Sequence, residues 1–430
     1  MDRRDFLATM AATGVLPASF KAAAHPGHHS EDPASAHSFP PEWHTHDAVW
    51  MGWSEYVSES NDHTQLRLAM LKALTPHVRV AMIVPDAATQ AHVTGLMTNA
   101  GVRAEAVTFH IQPTVDVWVR DCGPLFVSDG RSLELAAFDW RNYGFPWPYT
   151  NPASLSRGAV DQEIAARLGL AQRSSDVVAE GGGLEVNSRV LVTYRDAMMQ
   201  RNPGKTLAEV ESELLRLYGK EKLIWLDRAP ITDRVLTGPK VANFFGWGAN
   251  GHVDEYVRFV SEDTILVGEV SEEERGRDAL MRLDHEILLE NRRQLEAARD
   301  PDGNPFNVVP VPVPDVGPFL RRRTLTSDDF SVFPGGFDMR THYRDFAMGD
   351  EVIEVPAVSY LNFLVTNGVI LSAQYGGEGR PDHLAESDAR FEAILRTYFP
   401  DHEIAQIHPI IANWDGGGMH CLTQQQPALA

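Results

Sequence analysis

Cysteine is nearly absent: the 430-residue chain holds two, Cys122 and Cys421. A disulfide between them stays open for an oxidising compartment, but it would be one staple on a chain large enough not to need it. Each lies in a stretch loaded with polar residues, so a reactive thiol has to be considered. Basic residues are also scarce, with 38 Lys and Arg against 59 Asp and Glu and a formal charge of -21. That balance argues against nucleic acid or an anionic membrane as partner, since binding to phosphate is driven by Lys and Arg. It fits solubility, or a field that draws in a cationic substrate. No run of about 18 or more apolar residues lies in the body of the chain, so no segment there reads as a transmembrane helix. No Pro-, Gly- or Ser-rich linker divides residues 39–430, which read as a single domain. With 43% hydrophobic residues the chain can bury a large core.

The first 38 residues differ in kind. "MDRRDFLATMAATGVLPASFKAAAHP" pairs Arg3 and Arg4 ahead of Phe6 and Leu7, runs weakly apolar to Phe20, and offers small residues Ala22 to Ala24 for cleavage. This pattern predicts a twin-arginine export signal and a periplasmic protein. The following "HPGHHSEDPASAHS" reads as a flexible, histidine-containing tail too polar to pack.

Four segments repeat one layout, a polar motif on a strand, a short turn and then an apolar strand. They are "VWVRDCGPLFVSDGRSLELAAF", "VVAEGGGLEVNSRVLVTY", "GHVDEYVRFVSEDTILVGEV" and "SYLNFLVTNGVILSAQYG". Their turns SDG, NS, SED and TNG favour tight reversals and predict hairpins. Amphipathic helices lie between them, most clearly "TLAEVESELLRLYG", with Thr206 and Glu209 as a capping box and Gly219 as terminator. Hairpins alternating with helices suggest a cyclic α/β array in which each polar motif points to a common centre. Asp121, Glu180, His252 and Asn362 would meet there.

If "GHVDEYVRF" is a strand throughout, His252 and Asp254 share a face, and Val253 and Glu255 look away. By the same logic Asp121 in "WVRDCGP" faces opposite to Cys122. In "NWDGGGMHCLTQQQP", the glycines before His420 and Cys421 let backbone approach a ligand closely. Cys421 as nucleophile with His252 as acid and base meets the needs of thiol catalysis. Asp121, Glu180 and Asp254 would repel a thiolate and raise the thiol pKa, which an anionic substrate would worsen. A planar cation reverses that penalty through bidentate hydrogen bonds, so the set calls for a guanidinium.

"PPEWHTHDAVWMGWSE", "WVRDCGP", "EGGGLEV", "GHVDEYVRF", "SYLNF" and "GGGMHCLTQQQP", in this order, are similar to the motifs of the agmatine deiminase and bacterial peptidylarginine deiminase family. The resemblance runs from residue 40 to 427. It implies a five-bladed α/β propeller of ββαβ repeats, the pentein fold, around a central active site. It also implies a guanidine hydrolase that uses no metal and no cofactor. Carried over, Cys421 attacks the guanidinium carbon, Asp121 and Asp254 hold its nitrogens, and His252 protonates the leaving ammonia and then activates water. Glu180 orients the guanidinium or the histidine. Trp118, Asn362, Gly417 and Gly418 would contact the substrate, and Arg141 would meet a substrate carboxylate. Whether the protein is a homo-oligomer stays open.

The substrate end is less well matched. "WPYTNPASLSR" lacks the acidic residues usual in agmatine deiminases, and "ITDRVLTGPKVANFFGWGAN" is longer and more aromatic than their counterpart. The expected substrate is agmatine, with peptidyl-arginine or free arginine as alternatives. The rivals are a metal-dependent ureohydrolase built on His44, His46, Asp47, His252 and Asp254, an amidinotransferase, and a non-catalytic exported binding protein.

Overall fold

The computed structural model describes residues 37–54, 61–113, 115–144, 158–234, 238–330 and 343–430. The export signal and most of the tail lie outside the described residues, as does "WPYTNPASLSR" up to Arg157. His37 and Ser38, at the end of the predicted tail, are docked: Ser38 bridges Ser128, and His37 Nε2 lies 2.8 Å from Ser132 Oγ.

The four predicted hairpins form, and turn residues close them. Leu125–Ser128 pairs antiparallel with Leu133–Asp139, Glu185–Val186 with Val190–Tyr194, Val257–Phe259 with Thr264–Glu269, and Leu364–Thr366 with Val369–Ala373. In the first turn Asp129 Oδ1 accepts the backbone N–H groups of Arg131 and Ser132, and Gly130 takes φ 83°. Asn187 and Gly368 do equivalent work in the second and fourth turns.

Each hairpin then gains a third, parallel strand. These are Ala171–Val178, Lys222–Leu226, Asn307–Pro312 and Glu403–Ile407. A parallel neighbour needs a crossover, and helices supply it at Val160–Leu168, Leu207–Tyr218, Ala279–Ala297 and Asp382–Tyr398. The Leu207–Tyr218 helix carries the predicted capping box, ends at Gly219 with φ 62°, and buries Val210, Leu214 and Leu217. Each of these side chains contributes roughly 1.5–3 kcal/mol of transfer free energy.

A fifth sheet has the same pattern but joins distant parts of the chain. Gln424–Pro427 pairs antiparallel with His46–Gly52, which runs parallel to Arg79–Val84, itself parallel to Val107–Ile111. A sixth sheet, Phe244–Gly246, Glu351–Val355 and Arg321–Thr324, departs from it. It carries a small aromatic cluster, with Phe245 stacked 4.5 Å from Tyr343 and Trp247 edge-on at 5.0 Å. The fold is thus mixed α/β, built from small three- and four-stranded sheets. Among the described residues no helix is long and apolar enough to cross a membrane.

The polar motifs are not on strands, which corrects the sequence reading. Asp121 lies in the short helix Val119–Cys122 and Gly181–Gly183 form a 3-10 turn, as do Val253–Glu255. Each motif sits immediately before the first strand of its hairpin, and Asn362 and Cys421 hold the same place before Leu364–Thr366 and Gln424–Pro427. The cause at "GHVDE" is local. Asn250 and Gly251 adopt φ 67° and 94°, and Asp233 accepts the N–H groups of Ala249, Gly251 and His252 at 2.6, 2.5 and 2.8 Å. With those donors bound to a side chain, the segment cannot pair as a strand.

Candidate active site

These five pre-strand turns converge on one buried cluster. Cys421 Sγ lies 3.2 Å from Asn362 Nδ2, 3.7 Å from Asp254 Oδ2 and 3.8 Å from Glu255 Oε1. The Glu255 contact overturns the expectation that this side chain looks away, because a 3-10 turn does not alternate faces. Asn362 also fixes the thiol loop: its Oδ1 accepts the N–H of His420 at 3.0 Å and of Cys421 at 3.3 Å. The glycines there are spatially required. A Cβ on Gly418 would meet Asn362 Oδ1 at 2.5 Å, and one on Gly417 would sit 2.9 Å from Trp118 Cζ3 and 3.0 Å from Sγ.

His252 stands across the cluster, fully buried, with Nδ1 3.7 Å from Asp121 Oδ1 and Nε2 3.5 Å from Glu180 Oε2. Burial opposes its charge, but Asp121, Glu180 and Asp254 outweigh burial and hold the imidazolium up to about 9. Asp121 receives the N–H of Gly182 at 3.1 Å and the hydroxyl of Tyr143 at 3.2 Å. Burial, with Asp254 and Glu180 nearby, pushes its carboxyl up to about 7 against the pull of His252. Glu180 differs because Arg201 donates to it at 2.6 Å; despite burial, Arg201 and His252 keep it below the ordinary glutamate range. Arg201 is itself held by the carbonyls of Ala197, Ala249 and Asn250. For Cys421, burial and the charges of Asp254, Glu255 and Asp121 push the thiol well above its usual value. A free thiolate is thus disfavoured until a positive charge enters.

Both cysteines are free. Cys122 packs with Trp50, Phe126 and Val160 and points its sulfur at the Trp118 carbonyl, 3.3 Å away. It therefore lies off the cluster, as expected, although on a helix and not by strand alternation. Trp118, half buried, borders the thiol loop. Arg141 is half exposed and ion-paired with Asp139 at 2.6 Å, so any service to a substrate carboxylate would compete with that pair.

Ligand atoms of Asp121, His252 and Cys421 lie within 4.8 Å of one another, as do those of Asp254, Glu255 and Cys421. Such close spacing of buried carboxylates, with the Asn362 amide beside them, suits a small cation. The motif proposed for a metal-dependent rival does not gather here. His46 Nδ1 is bonded to Thr366 Oγ1 at 2.9 Å and Asp47 is paired with Arg79.

Several participants carry no sequence signal. Tyr143, Arg201 and Asp233 stand alone in their stretches, and Glu42 was visible only as part of "PPEWHTHD". Behind Asp254, His420 Nδ1 meets Asp254 Oδ2 at 2.6 Å and Nε2 meets Glu42 Oε2 at 2.7 Å. Arg258 ties this layer together, donating to Glu42 at 2.8 Å and ion-paired with Glu185 at 3.1 Å.

A buried thiol facing an imidazolium and a ring of acids, on a mixed α/β frame, defines the class of hydrolases that break carbon–nitrogen bonds with a cysteine. The chain belongs to the Porphyromonas-type peptidyl-arginine deiminase family, whose model matches residues 38–427. It is 25% identical over 413 residues to an agmatine deiminase of Pseudomonas aeruginosa, covering 92% of this chain and 96% of the relative. To an agmatine deiminase of Medicago truncatula it is 25% identical over 421 residues, 93% of this chain and 100% of the relative. The fold matches the solved agmatine deiminase of Enterococcus faecalis with a TM-score of 0.69 at 21% identity, covering 92% of this chain and 97% of that one.

Proposed function

We propose that the protein converts agmatine and water to N-carbamoylputrescine and ammonia through a covalent amidino-cysteine intermediate. The carrying observation is the thiol, held 3.7 Å from Asp254 and 3.2 Å from Asn362 in a site with excess negative charge. Asp254 and Asp121 hold the guanidinium nitrogens, and the cation lowers the proton affinity of Cys421 as it arrives, so that the thiol proton passes to solvent. The sulfur bonds to the central carbon. The C–N bond to the departing nitrogen breaks as His252 gives that nitrogen a proton. The neutral imidazole then takes a proton from water as its oxygen attacks the same carbon, and the C–S bond breaks. Positioning a planar cation against the sulfur is the largest service of the site.

Agmatine is preferred over an arginine because relatives along the whole chain are named agmatine deiminases. Ammonia release from agmatine, free arginine and a peptide with C-terminal arginine, measured side by side, tests this. Agmatine is expected to give the highest kcat/KM, and a clear preference for either arginine substrate would replace it with a citrulline-forming reaction. Resistance to chelators and loss of activity with iodoacetamide are expected alongside.

The pH profile has a defined sign. Asp121 must be ionised to receive the cation, so kcat/KM rises as pH climbs through about 7. His252 must be protonated to release ammonia, so it falls as pH passes about 9. Replacing Glu180 by glutamine removes an anionic partner of His252 and should shift the upper limb to lower pH. An unmoved upper limb would reject the role of His252.

Two coarser features complete the reading. A closed five-bladed propeller is supported by five sheets sharing one strand pattern. Periplasmic export is supported by "MDRRDFLATM", and Arg3→Lys with Arg4→Lys should retain the protein in the cytoplasm in cell fractionation. An unchanged periplasmic pool would remove the export proposal.

A further inference from the structure

His420 is bonded at both ends to carboxylates. Its Nδ1 is 2.6 Å from Asp254 Oδ2 and its Nε2 2.7 Å from Glu42 Oε2, with the side chain buried. Neither carboxylate is free to supply the hydrogen. Glu42 also accepts Arg258 at 2.8 Å and the N–H of Val365 at 2.6 Å. Burial opposes the charge of Glu42, but Arg258 and His420 keep it ionised, well below the ordinary range. Asp254 Oδ2 takes Asn362 Nδ2 at 3.1 Å, and His420 likewise holds the Asp254 carboxyl low against burial. An ionised carboxylate only accepts, so two such partners require an N–H on each ring nitrogen, which makes the ring an imidazolium.

This proton is under pressure from the other side. Burial draws the affinity of His420 for it below the ordinary histidine value, and Arg120 and Arg258 act in the same direction. Arg120 reaches the His420 carbonyl at 3.3 Å and Gln425 at 2.6 Å, so it is fixed in place. The charged groups facing the ring are therefore Glu42, Asp254, Arg120 and Arg258, with Asp121, Glu180, Glu255 and His252 beyond Asp254.

Resting on the guanidinium reading above, we propose that His420 is a positioning residue that supplies the missing positive charge in the empty site and gives one proton to solvent when a guanidinium binds Asp254. One positive charge enters beside Asp254 and one leaves, so this carboxylate is never without a cation. The neutral ring keeps a single N–H and one of its two carboxylate bonds. Asp254 is thus held in place before binding and released to the substrate during it.

Calorimetric titration of agmatine into Cys421→Ala, in buffers of different ionisation enthalpy, counts the protons released without turnover. In mildly acidic buffer, where a ring of lowered proton affinity still carries its charge, Cys421→Ala is expected to release about one proton more per agmatine than Cys421→Ala with His420→Gln. Equal counts overturn the proposal, whereas a merely structural role for His420 would change affinity and leave the count alone. Should the glutamine variant not fold by circular dichroism, Glu42→Gln in the same background is expected to reduce the count too, and an unchanged count there is equally fatal. Failure of agmatine, arginine and the arginyl peptide to bind at all would overturn the substrate reading as well.

Discussion

Cys421→Ala is expected to lower turnover of agmatine by ~10⁴-fold or more while leaving the guanidinium bound. The size of the loss follows from the chemistry. The sulfur is the atom that forms the covalent bond, and among the described residues its hydrogen-bonding neighbours are carboxyls and an amide, with the His252 imidazole close by. Binding survives because the cation is held by carboxylates. Removing the thiol also removes a weak donor to Asp254 and Glu255 that an incoming guanidinium would displace, which should tighten affinity slightly. Steady-state kinetics and calorimetry on the same preparation separate the two effects. Turnover within about tenfold of the parent enzyme would remove Cys421 from the chemistry, and loss of binding with turnover would point instead to collapse of the thiol loop.

Arg258→Met is expected to destabilise the fold by about 3–5 kcal/mol, because it strands two buried carboxylates at once. The guanidinium is 1% exposed, hydrogen-bonded to Glu42 at 2.8 Å and ion-paired with Glu185 at 3.1 Å. It also donates to the carbonyls of Leu361 and Phe363 at 2.9 and 2.6 Å and lies 4.4 Å over the Phe363 ring. Methionine fills similar volume but leaves three acceptors without that donor and Glu185 without its cation. Urea denaturation reads the loss. Adding Glu185→Gln should recover part of it, since one of the stranded charges then disappears. A loss below about 1 kcal/mol would show that the pair contributes little beyond its own desolvation.

The hairpins and crossover helices were legible because their signals are local. Asp129, Asn187 and Gly368 turn the chain within a few residues, and Thr206 and Glu209 cap the helix they begin. The fifth sheet was not legible, since the pairing of Trp50 with Gln424 depends on no nearby residue. Identity of the cluster was visible in Asp121, Glu180, His252, Asp254, Asn362 and Cys421, yet their geometry was not. Strand alternation was assumed for "GHVDE", whereas Asp233, in a different segment, binds the N–H groups that a strand would have used. That error hid Glu255, which stands 3.8 Å from the sulfur. Arg201 was illegible for another reason: a lone charged residue in sequence looks like solvated surface until its partner is known, while Glu42 and Arg258 lie inside "PPEWHTHD" and "GHVDEYVRF" with nothing there to reveal the layer they form.

The placement of one polar turn ahead of each hairpin has a temporal side. Read along the chain, the acids come first, at Asp121 and Glu180, then His252 with Asp254, then Asn362, and only afterwards Cys421. A partly synthesised chain can therefore gather a nest of carboxylates but has no means of attacking anything. Reactivity is withheld until the strand that follows the sulfur zips onto the earliest strand of the fold, so assembly of the last sheet and the birth of the enzyme are the same event.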